Sequence, residues 1–222
     1  MFIRIVICSL LTAGSFCSLA AQLVLFSFDD ASGDESQFSA SSHVDHLSVG
    51  SMTRGSGLNA SAAADAFGGR SWSTAGLDLD DYFEFSVSPA VGYELDLTSI
   101  RLDERRSSSG IREWAIRSSL DNFTEDVAPG PFVIPDDTLT RIGQERTLSV
   151  DSFSDLESQV SFRIYGYQAE SSVGTWRIDN LELFGALTVV PEPNSLAVGL
   201  FLGGIAFFRL IQRAWFKRFG VG

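Results

Sequence analysis

From Gln22 to Leu187, apolar residues recur at every second position in short runs, bounded by Gly, Ser, Asp and Pro, and none of these runs keeps a helical period. Such alternation puts one face of a strand on a core and the other towards solvent. Seven segments carry it: 23–28, 82–87, 93–102, 111–118, 147–150, 160–167 and 176–184. Many short strands with turn signals between them bury their apolar faces by stacking two sheets. The pattern therefore predicts an all-β fold, an antiparallel β-sandwich of jelly-roll type. Residues 29–75 are rich in Ser, Ala and Gly and weakly patterned, which predicts long loops with one or two short strands.

The phase of the alternation assigns faces. Phe83, Phe85 and Val87 point to the core, as do Val160, Phe162 and Ile164, while Tyr165 and Tyr167 fall on the opposite side. Trp114 shares the face of Ile116, and Trp176 that of Ile178, so both are core positions. The phase slips at Thr98-Ser99 and again at Asp179-Asn180, and a slip of one residue marks a β-bulge. The triplet Glu104-Arg105-Arg106, just before Ser107-Ser108-Ser109-Gly110, reads as a solvated hairpin tip.

The two ends differ from the middle. Residues 1–20 place Arg4 ahead of an apolar stretch, then small residues, with Ser18 and Ala20 at the −3 and −1 positions of a cut. This is the form of a removable signal peptide. A domain over 21–187 follows, then a tail over 188–222. The tail opens with Pro191-Glu192-Pro193, continues as an uncharged run over 195–208, and ends with Arg209, Arg213, Lys217 and Arg218. Fourteen residues span only about 21 Å as a helix, short of the ~30 Å hydrocarbon core, but snorkelling arginines extend a single transmembrane helix to about 195–216. The basic stop stays in the cytoplasm by the positive-inside rule, which places the domain outside.

The triplet, the short apolar span and the Arg-rich terminus, in that order, resemble the PEP-CTERM sorting signal. That resemblance implies recognition by an exosortase-type membrane protease, cleavage near Pro191, Glu192 and Pro193, and transient anchoring in the inner membrane. The domain would then pass to the cell envelope surface or an extracellular polymer matrix. The segment from Thr175 to Leu181 is similar to the closing strand of jelly-roll carbohydrate-binding and galactose-binding-like modules, a likeness at the level of fold.

Composition sharpens this picture. Between Ala21 and Val190 the chain carries eleven basic and 27 acidic residues, about −16 in net charge, and all eleven basic residues are Arg. Such a surface repels phosphate backbones and argues against nucleic acid as a partner. The only cysteines, Cys8 and Cys17, lie in the signal, so the domain has no disulfide, thiol nucleophile or thiolate metal ligand.

Candidate chemistry is sparse. Asp29 and Asp30 follow the first strand, and Asp179 and Asn180 form the bulge of the last. If those strands are neighbours, four oxygen donors meet and suit a structural Ca²⁺. Flat aromatic faces match the apolar faces of sugar rings, and Trp72, Tyr165 and Tyr167 are the residues expected to be exposed for glycan contact. His43 and His46 lack a third ligand and read as loop residues. No nucleophile elbow, zincin motif or phosphate-binding glycine loop is present. The sequence thus favours a non-enzymatic surface or matrix protein, with a secreted polysaccharide-degrading enzyme as the alternative, and a polysaccharide as the ligand in either case.

Overall fold

In a computed structural model of the chain, which describes residues 20–191, the alternating segments pair as two antiparallel sheets. In chain order the strands are β1 (Ala21–Phe26), β2 (Gln37–Phe38), β3 (Ser42–His43), β4 (Leu47–Val49), β5 (Met52–Arg54), β6 (Asn59–Ala60) and β7 (Phe67–Arg70). There follow β8 (Tyr82–Pro89), β9 (Tyr93–Arg106), β10 (Glu113–Ser118), β11 (Phe132–Val133), β12 (Arg141–Thr147), β13 (Val160–Tyr167) and β14 (Thr175–Val189). Sheet A runs β12-β9-β14-β1-β3, with β7 also on β14 and β6 on β7. Sheet B runs β11-β10-β13-β8-β5-β2, with β4 on β8. The expected signal peptide up to residue 19, Glu192, Pro193, the expected transmembrane helix and the expected basic stop lie outside the described residues. Among the described residues no helix is long and apolar enough to cross a membrane.

The core lies between the sheets and follows the predicted phase. Phe83, Phe85, Val87, Val160, Phe162 and Ile164 are all buried. Trp176 sits at its centre, stacked on Phe83 at 5.6 Å and Trp114 at 6.2 Å, with Trp72 edge-on at 5.4 Å. Offset and edge-to-face pairs of this kind add to the burial each ring contributes, and removing one large aromatic side chain costs about 3–5 kcal/mol.

Both bulges form where the phase slips. The β14–β9 register shifts between Asp179 and Glu182, and again between Phe184 and Gly185 opposite Leu97 and Ser99. The first has an architectural reason. One edge of β14 is shared by two shorter strands: β1 pairs up to Phe26↔Leu181, while β7 pairs from Phe67↔Ile178. The bulge, with Asn180 at φ +46°, occupies the gap between them.

Three expectations fail here for physical reasons. Residues 29–75 hold six short strands, β2 to β7, whose Gly, Ser and Ala content hides their alternation. Strand β12 is Arg141–Thr147, not 147–150, and Val150 begins a single helical turn. Glu104-Arg105-Arg106 is no hairpin tip: β9 runs to Arg106, and residues 107–112 cross from sheet A to sheet B.

Candidate functional site

The end of β9 carries four consecutive charged residues, and strand alternation splits them between two environments. Asp103 and Arg105 face outward, whereas Glu104 and Arg106 point into the sandwich, each only 1% exposed. Glu104 Oε2 accepts a 2.7 Å hydrogen bond from Trp176 Nε1, and its Oε1 faces Arg141 at 3.3 Å. Burial pushes the Glu104 carboxyl above its ordinary pKa, against the opposing pull of Trp176 and Arg141. Arg106 donates to the carbonyls of Ser107 and Ser108 and to Glu170 at 2.9 Å, and Arg112 shares Glu170 at 2.5 Å. These inner charges close the end of the core.

The outward pair borders a groove. Across sheet A, Gly68 of β7, Arg177 of β14 and Arg105 of β9 lie in one row of Cα partners. A cavity of about 330 Å³ opens over this row, walled by Ser61, Ala62 and Ala63 on one side and Thr138 on the other. Gly68 is required there, because a Cβ would meet the Ser61 carbonyl at 2.3 Å. The wall is anchored from behind. Ala63 donates to Ser32 O and Asp65 to Ala31 O, and Arg54 holds Gly33 O and Gly68 O at 2.7 Å each. Arg54 also lies 3.8 Å over the Phe67 ring, which fixes its fork.

Two residues further along the strands, an adjoining pocket of about 190 Å³ is lined by Asp65, Asp103, Thr140 and Asp179. The bulge explains this gathering, since Asp29 follows β1, Asp65 precedes β7, and Asp103 is the Cα partner of Asp179. The Asp179 carboxyl is raised by burial and then by the charges of Asp103, Asp29 and Asp65, against the backbone N–H of Asn180. Its neighbours are bonded into their loops: Asp103 accepts from Gly143 N and Asn180 Nδ2, and Asp65 from Asp30 N. The structure thus brings Asp29, Asp179 and Asn180 to one corner, and Asp30 reaches it through its backbone N–H. Yet among the described residues no three carboxylates or histidines are placed to hold a metal ion.

The aromatic expectation is overturned. Trp72, Tyr165 and Tyr167 are all buried, so none offers a stacking face. Trp72 packs into the core, its Nε1 donating to Gly69 O at 2.9 Å, and a Cβ on either Gly69 or Gly166 would come within about 3 Å of its ring. Tyr165 and Tyr167 do lie on the outer side of sheet B, but segment 119–127 covers that side. Arg117 bonds Asp126 and Phe123 O, and Phe123 and Tyr82 sandwich Arg163 at 3.9 and 4.2 Å. Under this cover burial, with the charges of Glu113 and Asp126, pushes the Tyr167 hydroxyl up to about 12. His43 and His46 are exposed, and His46 stacks on Tyr93 at 4.4 Å. Pro191 is exposed at the end of the described residues.

The groove itself was missed in the sequence. Its one available signal was the alternation ahead of the phase slip in β14, which puts Arg177 and Asp179 on the face opposite Trp176 and Ile178.

No protein-family model matches the chain, and no curated protein matches it. Among solved structures it is similar to TmCBM61, a carbohydrate-binding module solved in complex with beta-1,4-galactotriose, at 12% identity and a TM-score of 0.28, covering 64% of this chain and 90% of that one. At so low a TM-score the likeness carries nothing over to this chain.

Proposed function

We propose that this chain is a non-enzymatic β-sandwich of the cell surface or extracellular matrix, exported by its leader, sorted through its PEP-type tail, and holding glycan in the groove on the outer side of sheet A. The observation that carries the glycan part is the groove: about 330 Å³, lined by Arg105, Thr175 and Arg177 from strands and by Ser61, Ser107 and Thr138 from the loops beside them, with one wall tied back by Arg54. Hydroxyl-rich ligands are recognised by a few fixed polar groups of this kind.

The test is binding of soluble oligosaccharides to the full chain and to an Ala62→Trp variant, which fills the groove from its exposed wall. Binding to the parent that is lost in the variant supports the reading, and equal binding by both moves the contact elsewhere. For delivery, mass spectrometry of the mature protein should find neither Met1 nor Gly222. An intact chain in the cytosol would overturn it.

Asp179 favours one second reading. A carboxyl with a raised pKa beside the carboxylate of Asp103 is the pairing used in glycoside hydrolysis. Against it, the pocket presents no aromatic face. Release of reducing ends from a bound polysaccharide, abolished in Asp179→Asn, would establish the enzyme.

A further inference from the structure

Arg105 and Arg177 are direct cross-strand partners on the outer side of sheet A, an arrangement that costs stability because like charges face each other. Most other arginines of the domain have a partner of opposite sign. Arg101 pairs with Glu182, Arg106 and Arg112 with Glu170, Arg117 with Asp126, Arg141 with Glu104, and Arg163 with Glu84. Among the described residues Arg105 and Arg177 have no carboxylate within 4.0 Å, and the Arg105 side chain makes one hydrogen bond, from Nε to Thr138 O at 2.8 Å. Two guanidinium groups therefore border the same cavity with most of their donors unused, in a domain that carries about −16.

The neighbouring pocket shares Arg105 and Arg177 and adds carboxylates to them. Asp103 and Asp179 are cross-strand partners two positions away, about 7 Å along the strands, and Asp65 stands beside them. One end of the groove donates hydrogen bonds to an anion, and the other accepts them from hydroxyls. A polyanion is disfavoured at the acidic end and by the charge of the whole domain, whereas a single carboxylate on an otherwise neutral sugar chain satisfies both ends.

We infer that the groove binds a glycan of low charge density through one uronate carboxylate, which bridges Arg105 and Arg177, while neighbouring sugar hydroxyls donate to the pocket of Asp65, Asp103 and Asp179. This rests on the glycan reading of the groove and names its ligand class.

The test compares three probes on the full chain in detergent, by calorimetric titration. They are a glucuronosyl-xylobiose with one carboxylate, the same trisaccharide with that carboxylate reduced to a hydroxymethyl group, and trigalacturonate. The single-uronate probe should bind at least about tenfold more tightly than either other, and Arg177→Gln should remove that advantage, since a charge-assisted bidentate contact is worth about one to two powers of ten. Arg105→Gln should weaken binding as well. Arg177→Gln removes a repulsion on the surface, so the variant folds.

If the reduced probe binds as tightly as the acid, lost in Ala62→Trp but unchanged in Arg177→Gln, the uronate inference falls and the glycan groove stands. If neither trisaccharide binds, both fall. If inorganic sulfate at equal concentration displaces the trisaccharide, the arginines hold any small anion, and the inference also falls.

Discussion

Glu104 and Arg106 point into the sandwich, and Asp103 and Arg105 point out of it, from one four-residue stretch of β9. The inner two meet opposite charge or hydrogen-bond partners: Glu104 has Arg141 and Trp176, and Arg106 has Glu170. The outer two meet their own sign, Asp103 opposite Asp179 and Arg105 opposite Arg177. Burial explains the difference. An unpartnered charge inside costs several kcal/mol, so both inner charges are paired, although Arg106 Nη1 has no hydrogen-bond partner and lies 3.9 Å from Asp136 Oδ1. Outside, water and salt reduce a like-charge contact to a few tenths of a kcal/mol, a cost that a binding surface can carry. Inner charges here serve the fold, and on the present proposal the outer ones serve a ligand.

The inner side offers the largest effect. Glu104→Ala leaves the buried Trp176 indole N–H without its acceptor and Arg141 with Asp137 as its one carboxylate, and Arg106→Ala leaves Glu170 with Arg112 alone. Each should lower the free energy of unfolding by about 3–5 kcal/mol in denaturant titration. A loss under 1 kcal/mol from both would remove the contrast with the outer side.

Glu104→Gln sharpens the contrast by separating charge from hydrogen bonding. The amide still accepts from Trp176, so its cost at neutral pH should be about 1 kcal/mol. Because burial raises the folded carboxyl above its ordinary value of 4.5, the parent binds a proton more tightly when folded. Its extra stability is fully present below the unfolded value and is lost as pH rises through the raised folded one. The stability difference between parent and Glu104→Gln should therefore grow in the parent's favour on acidification from pH 7 to 4. A difference that instead shrinks on acidification would show that Glu104 stays ionised in the fold, and one independent of pH would show that its pKa is unshifted.

On the outer side the expected effect is small and of opposite sign. Arg177→Gln ends a cross-strand repulsion and breaks no ion pair, so it should leave stability unchanged or raise it by a few tenths of a kcal/mol. A loss above 1 kcal/mol would mean that Arg177 is a structural residue after all.

Much of this was legible in the sequence, unevenly. Strand β13 matches its expected bounds, and both bulges sit where the alternation slips, because a period of two allows no other reading of a one-residue insertion. The six short strands between Gln37 and Arg70 escaped because Gly and Ser carry no hydrophobic phase. Trp72 was misplaced because its local context, Gly-Gly-Arg-Ser, looks like an exposed turn, while much of its cover comes from Gly166 and Trp176, about a hundred residues later. Tyr165 and Tyr167 lay on the correct side of their sheet, but alternation cannot report that a distant loop covers it. Glu104 and Arg106 were read as solvated because charge is normally exposed, and their partners Arg141 and Glu170 are remote in sequence. Missing the inner charges also hid the groove, since only a strand that continues through 103–106 sets Arg105 beside Arg177.

Asp179→Asn should likewise have a small effect, and its sign is informative. At neutral pH the substitution removes a partly buried charge held near Asp103, Asp29 and Asp65, so it should stabilise the fold by about 0.2–1 kcal/mol. The carboxyl of Asp179 is raised above its ordinary value of 3.8, so the parent recovers this deficit as pH falls through the raised folded value. The melting temperatures of parent and variant should converge on acidification and separate again at pH 7. Added Ca²⁺ gives the same experiment a second axis. An ion bound in this corner would turn the four carboxylates from a repulsive set into ligands, raise the parent's melting temperature, and make Asp179→Asn destabilising. With no three of these groups placed to hold a metal among the described residues, Ca²⁺ and a chelator should leave both melting temperatures where they are, and Asp179→Asn should remain the more stable chain at pH 7.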